Sequence, residues 1–258
     1  MKVVLFCGGM GTRLRDYSET IPKPMVPVGY RPIMWHLMKY YAHFGHTEFI
    51  LCLGYRADAI KDFFLHYDEA VSNDFVLSKG GRQIDLISSD IEDWTITFVD
   101  TGTHADLSDR LLAVRDLVAG EEMFMANYSD GLTDLDLNGY IETFRQSDAV
   151  AQMLAVQPPL SYHRVKTSDD GMVTDMTPII GTDLWINGGF FVFRPEIFDY
   201  LRPGEDLVEG FNRLVPESRL RGLRYEGFWA PMDTFKDKQR LDDLYAKDQA
   251  PWQVWKTR

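Results

Sequence analysis

A chain of 258 residues, 45% of them apolar, can bury a sizeable core as one large α/β domain or two small ones. Its formal net charge of −12 works against the basic face that polyanion binding requires, so no nucleic-acid partner is expected. No apolar run reaches the roughly 18 residues of a membrane span, so no membrane association is expected either.

Met-Lys-Val-Val-Leu-Phe-Cys-Gly-Gly at the start lacks the length and cleavage pattern of an export signal and reads as a buried strand. Cys7 and Cys52 each fall within an apolar run, as buried free thiols of a cytoplasmic protein would. In chain order, Val3–Cys7 predicts a first strand and Pro32–Gly45 a helix, with Ile33, Leu37, Met38, Tyr41 and Phe44 at helical spacing. Phe49–Leu53 predicts a strand, Ala57–Tyr67 a helix, Thr95–Val99 a strand, Ser108–Val118 a helix and Met123–Asn127 a strand. This alternation predicts parallel βαβ units with ligands at the carboxyl ends of the strands. Further on, Val150–Val156 and Ile186–Phe193 read as strands with a hairpin turn at Asp169-Asp170-Gly171 between them, and Val208–Val215 and Thr234–Tyr245 as helices. Without a Pro/Ser-rich linker or a repeat, residues 1–258 are expected to form one domain. About 1–131 would be its first half, and about 132–258 its second half with the C-terminal helices.

Gly8-Gly9-Met10-Gly11-Thr12-Arg13-Leu14, followed by Pro22-Lys23-Pro24, carries the most information. Glycines directly after a strand let the backbone approach a ligand and aim N–H donors at phosphate oxygens. Arg13 adds a forked cation and Lys23 a compact one, held between prolines that limit its freedom. The glycines alone fit a tight strand-exit turn equally well, since both the dinucleotide fingerprint and the P-loop ending are absent. Asp130 ends the fourth strand and Asp233 precedes a helix. Read alone, Asp130 suits a turn and Asp233 a helix cap.

Gly-Gly-x-Gly-Thr-Arg-Leu with Pro-Lys-Pro resembles the entry signature of sugar-1-phosphate nucleotidyltransferases. Pro32-Ile33-Met34-Trp35-His36, Gly54-Tyr55-Arg56, Val99-Asp100-Thr101-Gly102, Ile186-Asn187-Gly188-Gly189-Phe190-Phe191-Val192, Gly227–Thr234 and Ala250-Pro251-Trp252 narrow it towards bacterial glucose-1-phosphate cytidylyltransferases. The likeness runs over almost the whole chain. It implies a Rossmann-like three-layer α/β fold with a mixed, mainly parallel central sheet. It also implies transfer of a nucleotidyl group from an NTP, CTP in this branch, to a sugar 1-phosphate with release of pyrophosphate, and a homo-oligomer.

By resemblance, Asp130 and Asp233 hold Mg²⁺, and Arg13 and Lys23 act on the phosphates. Phe6, Gly8, Gly9, Gly11, Thr12, Thr101, Arg110 and Ser129 would bind the nucleotide; Asn187, Gly188 and Gly189 the acceptor. The attacking phosphate is largely dianionic near neutrality, its second pKa being about 6, so no protein base is required. Ser129 stands where the family has glycine, and Arg110 suits a helix surface as well as a nucleotide contact. Gly188-Gly189 also suits a strand bulge. The family's Glu-Lys-Pro lysine is absent from Asp175-Met176-Thr177-Pro178, and Tyr162-His163-Arg164 replaces a Phe-Gly element. Arg164 or Lys166 is the candidate replacement cation. The acceptor is therefore open between glucose 1-phosphate and another phosphorylated compound, and a non-catalytic binding paralogue is the remaining alternative. Trp35, Trp185, Trp229, Trp252 and Trp255 read as packing, and His36, His43 and His46 as a solvated helix face.

Overall fold

The computed structural model describes residues 1–9, 21–158, 162–179 and 181–256. Its first half contains β1 (Val3–Phe6), β2 (Pro27–Val28), β3 (Arg31–Pro32), α1 (Ile33–His43), β4 (Glu48–Leu53), α2 (Ala57–Leu65), α3 (Glu69–Ser72), β5 (Phe75–Ser78), β6 (Gln83–Leu86) and β7 (Thr95–Asp100). There follow α4 (Leu107–Ala113), α5 (Arg115–Val118), β8 (Phe124–Tyr128), β9 (Gly131–Thr133), α6 (Leu137–Arg145), β10 (Ala151–Val156), β11 (His163–Thr167) and β12 (Val173–Pro178). The chain continues through β13 (Ile186–Asn187), β14 (Phe191–Phe193), α7 (Leu207–Leu214), β15 (Leu220–Tyr225), β16 (Trp229–Pro231) and α8 (Phe235–Ala246).

Eight strands form the central sheet. β1 pairs in parallel with β4 and β8, β4 with β7, and β10 with β15; among the described residues only β14 and the short β13 run antiparallel to their neighbours. The sheet is covered on both faces, as the unbroken apolar run of β1 requires. Val3 and Leu5 pack on one side with Ile33, Leu37 and Tyr41 of α1, while Val4 and Phe6 pack on the other with Leu111, Val114 and Phe191. This is the expected α/β, mainly parallel, layered arrangement.

Three departures from the sequence reading have local causes. The helix expected over Ser108–Val118 is two, broken at Val114 (φ −108, ψ 9), yet Leu111, Val114 and Val118 all remain buried. Apolar spacing was satisfied without helical continuity. The strand expected over Ile186–Phe193 is interrupted by Gly188, Gly189 and Phe190, and both pieces lie along β10, joined through Gly188 N–H to Leu154 O (2.8 Å) and Leu154 N–H to Gly189 O (2.9 Å). Gly189 sits at φ +77, and a Cβ there would overlap Asn127 Oδ1, so a side chain is excluded twice over. Asp169-Asp170-Gly171 does turn a hairpin, but between the unforeseen β11 and β12.

Candidate active site

The parallel strands end level with one another. Phe6 is in register with Cys52 and Tyr128, and Leu53 with Asp100. One guanidinium ties these ends together: Arg110, buried on α4, donates to Leu53 O (3.2 Å), Thr101 Oγ1 (2.7 Å) and Gly8 O (3.2 Å). Thr101 in turn donates its hydroxyl to Leu53 O at 2.8 Å. A Cβ on Gly8 would overlap the Arg110 guanidinium. A side chain at Gly8 would therefore have to push the Arg110 guanidinium away from its hydrogen bonds, quite apart from any ligand above it. Burial lowers the pKa of Arg110, against the opposing pull of Cys52, Cys7, Asp106 and Asp100.

Ser129 is buried and donates its hydroxyl to Phe6 O at 2.9 Å, fastening β8 to β1. The next residue, Asp130, meets Asp233 through a small antiparallel pairing of β9 with β16. Pro231 is in register with Gly131, and Met232 N–H donates to Asp130 O at 2.9 Å. Asp233 does not cap α8. Thr234 does, accepting from Asp237 N–H while Asp237 returns the bond, which turns the Asp233 carboxylate to other use.

Lys23 completes the cluster. Pro22 and Pro24 hold a short 3₁₀ turn, closed by Met25 N–H to Pro22 O at 2.8 Å, and from it the ammonium reaches both carboxylates. Its Nζ pairs with Asp130 Oδ2 and, at 2.6 Å, with Asp233 Oδ1. Burial disfavours the charge on Lys23, but Asp130 and then Asp233 outweigh that and raise its pKa above the ordinary value. The ammonium is firmly protonated at neutral pH.

These groups face a cavity of about 340 Å³, lined by Phe6, Gly8, Gly9, Lys23, Arg110 and Ser129 together with Asp130 and Asp233. The lining also includes Tyr128, Asp106 and Asp206, which the sequence did not single out. Asp206 caps α7 by accepting from Val208 N–H (3.1 Å); an Asp before an apolar helix signals the cap but not the cavity. Tyr128 is pushed up to about 12, first by burial and then by Asp206 and Asp130. Among the described lining residues there is no histidine or cysteine.

The residues expected at the acceptor end are more scattered. Asn187 donates to Tyr128 Oη (3.3 Å) and accepts from Gly189 N–H (2.9 Å), and Gly188 O accepts from Trp229 Nε1 (2.9 Å). Arg164 lies on the β11–β12 hairpin, pairs with Asp175 at 3.2 Å and does not line the cavity. Gly11, Thr12 and Arg13 lie outside the described residues. The solvated face expected for His36 is corrected: it is buried against Trp35, Tyr245 and Trp252, and burial lowers its pKa to about 4. It was the helical spacing after Ile33 that placed it inward.

Among the described residues no group of three or more His, Cys, Asp or Glu side chains is arranged to enclose a metal. Asp130 and Asp233 nonetheless converge on a single cation, the Lys23 ammonium. Two carboxylates that can share one cation suit Mg²⁺, which keeps most of its positions for water and phosphate oxygens.

The nucleotidyl transferase family model matches residues 2–212. The chain is 35% identical to a probable glucose-1-phosphate cytidylyltransferase of Bacillus subtilis over 99% of its own length and 100% of the relative's. It is 34% identical to glucose-1-phosphate cytidylyltransferase of Salmonella typhi, over 99% and 100% respectively. In structure it is similar to UTP-bound UGPase from Acinetobacter baumannii, with a TM-score of 0.71 at 20% identity, covering 96% of this chain and 93% of that one. A cation-bridged carboxylate pair at the carboxyl edge of a mainly parallel sheet thus sits in a chain that belongs to the nucleotidyl transferase family, among its sugar-phosphate nucleotidyltransferases.

Proposed function

We propose that the chain transfers CMP from CTP to a sugar 1-phosphate, glucose 1-phosphate first among candidates, with Mg²⁺ on Asp130 and Asp233. The observation that carries this reading is Lys23 held between those two carboxylates beside the glycine loop. When bound, Mg²⁺ supplies charge neutralisation and orientation to the phosphate oxygens. Gly8 and Gly9 offer backbone at the mouth of the cavity for the triphosphate, with Arg13 assigned to the leaving pyrophosphate. Lys23, kept protonated by its carboxylates, supplies a fixed positive charge at the α-phosphate.

The acceptor phosphate attacks the α-phosphorus in line as pyrophosphate departs opposite. The nucleophile arrives as a dianion, which agrees with a lining free of histidine and cysteine among the described residues and with a Ser129 hydroxyl already committed to Phe6. Catalysis then consists of alignment and charge placement. A cytoplasmic site of action fits the unbonded, buried Cys7 and Cys52.

A second reading keeps this chemistry and changes the acceptor. It is favoured by the two candidate replacement cations, Arg164 and Lys166, which both stand on β11 and are not among the residues lining the cavity. Pyrophosphate release with each of four NTPs against a panel of sugar 1-phosphates and Mg²⁺ separates the readings. CTP with glucose 1-phosphate is expected to be the fastest pair. Turnover with UTP or GTP but not CTP would refute the branch assignment. Nucleotide binding with no turnover for any pair would refute the enzymatic reading.

A further inference from the structure

The two carboxylates at the cavity are brought together by backbone and not by the cation between them. Asp130 precedes β9 and Asp233 follows β16, and the pairing of these two strands carries Met232 N–H to Asp130 O at 2.9 Å. Thr234 N–H and Asp233 N–H both donate to Asp237 Oδ2, at 2.8 Å and 3.2 Å, which sets the start of α8 independently of Lys23. Two ionised carboxylates aimed at one point repel unless a cation lies between them. Lys23 supplies that cation: its Nζ pairs with Asp130 Oδ2 and, at 2.6 Å, with Asp233 Oδ1.

An ammonium and a divalent metal ion cannot use these two oxygens at once. Mg²⁺ binds carboxylate oxygen at about 2.0–2.1 Å and demands near-octahedral geometry. Lys23 Nζ stands within hydrogen-bond distance of one oxygen on each carboxylate, inside the space such an ion would fill, and two cations in contact repel. The turn that carries Lys23 is held by Pro22 and Pro24, whereas its ammonium rides on a flexible four-carbon stem. The same side chain lines the cavity with Gly8 and Gly9, so a swing of the stem takes the charge from the carboxylates to a phosphate bound there. A compact, strongly hydrated charge leaves one anion readily only for another.

We propose that Lys23 is a built-in stand-in for the metal ion: it holds the Asp130–Asp233 pair together in the free protein and releases the pair only when a nucleotide phosphate offers its ammonium another anion. The inference rests on the reading of Asp130 and Asp233 as metal ligands and adds an order to it. Without nucleotide, a divalent cation has to displace an ammonium that has nowhere to go, so the free protein binds metal weakly. With nucleotide, the displaced ammonium lands on the α-phosphate, where the transfer needs positive charge. Metal and nucleotide binding are thereby coupled through one side chain, and by linkage each strengthens the other by the same factor. In the free protein Lys23 is thus a positioning residue for the carboxylates.

The test is Mn²⁺ binding to the full chain without nucleotide, read from the loss of the free Mn²⁺ paramagnetic resonance signal, in wild type, Lys23→Met and Lys23→Met/Asp130→Asn. The methionine keeps the length of the stem and removes the charge. Lys23→Met should bind Mn²⁺ at least about tenfold more tightly than wild type, within the usual range of coupling between linked sites, and the double variant should lose that gain. Its thermal midpoint should lie below wild type in chelator and recover with Mg²⁺, while wild type without nucleotide responds little. A merely structural Lys23 would lower the midpoint without giving the metal any power to restore it. Lys23→Gln takes the same measurements if the methionine variant does not fold in chelator. Lys23 variants that bind Mn²⁺ no more tightly than wild type would overturn the proposal and leave the metal ligands standing. Failure of the ligand assignment looks different: at saturating Mg²⁺, CTP would bind wild type and Asp130→Asn equally tightly, which would overturn both.

Discussion

The cavity and the region expected to hold the acceptor are built differently. Around the cavity, Phe6 is in register with Cys52 and Tyr128 and Leu53 with Asp100, and Arg110 and Ser129 bond those strand ends to one another. In the region expected to hold the acceptor, Asn187 sits on a two-residue strand before a glycine bulge, and Arg164 on β11, which among the described residues pairs only with β12. The contrast teaches where variation is tolerated. Groups that serve the shared chemistry are fixed by the sheet core, while groups that would read the acceptor hang on short, exposed elements that can change without disturbing it.

The largest expected effect tests the rigid end. Asp130→Ala should lower kcat by at least about 10³-fold while leaving the circular dichroism spectrum and thermal midpoint close to wild type, since it removes half of the cation site. Full activity in this variant would break the metal assignment. Lys23→Ala should cost about 10²-fold or more in kcat. Lys23→Arg should rescue little, because a planar fork cannot take the place of a compact ammonium between two carboxylates.

Gly8→Ala and Arg110→Ala disturb one contact from opposite sides. Each should cut kcat/KM for the nucleotide by about 10- to 100-fold, or ~1.4–2.8 kcal/mol. The double variant should lose much less than the sum, since the added methyl no longer meets a guanidinium. Strict additivity, measured by steady-state kinetics, would show that Arg110 does not position the loop.

An effect on stability rather than activity lies away from the cavity, where the chain's C-terminal aromatic residues meet α1. His36 is neutral, donating through Nε2 to Val28 O (3.0 Å) and accepting at Nδ1 from Trp252 Nε1–H (3.3 Å). Its folded pKa of about 4 lies below the ordinary 6.5, so its contribution is fully present above pH 6.5 and is lost as pH falls towards 4. That lowering corresponds to on the order of 3 kcal/mol. His46, also lowered to about 4, adds in the same direction. Denaturant unfolding between pH 7 and 4 should steepen accordingly, and His36→Gln should flatten part of the slope. The smallest effect belongs to the β11–β12 hairpin: Arg164→Ala breaks an exposed pair worth less than about 1 kcal/mol and should change the acceptor KM less than about threefold. A larger rise in the acceptor KM alone would return Arg164 to the acceptor site.

Much of the rigid end was legible in the sequence. Apolar runs ending in Gly8, Gly54 and Asp130 mark the strand ends, and the proline-flanked Lys23 marks a cation with a fixed position. The meeting of Asp130 with Asp233 was legible only through family resemblance, because β9 and β16 are three residues each and their pairing is long-range. Asp206 carried a cap signal that concealed its place on the cavity wall. The ribbon β5–β6 was hidden by Phe75-Val76-Leu77, an unbroken apolar stretch in which the alternation of faces does not show until β6 is set beside it. His36 was misread because a histidine between apolar helix positions looks polar, whereas its ring nitrogens are both satisfied inside the core.

The central claim is that Asp130 and Asp233 act as one cation site together with Lys23. Its most direct test is Mg²⁺-dependent pyrophosphate release from CTP and glucose 1-phosphate, compared among wild type, Asp130→Asn, Asp233→Asn and the double variant. Groups that work as a unit fail as a unit. Each single substitution should remove nearly all release, and the double should fall no further. Near-wild-type release in either single variant, or losses that simply multiply in the double, would contradict it.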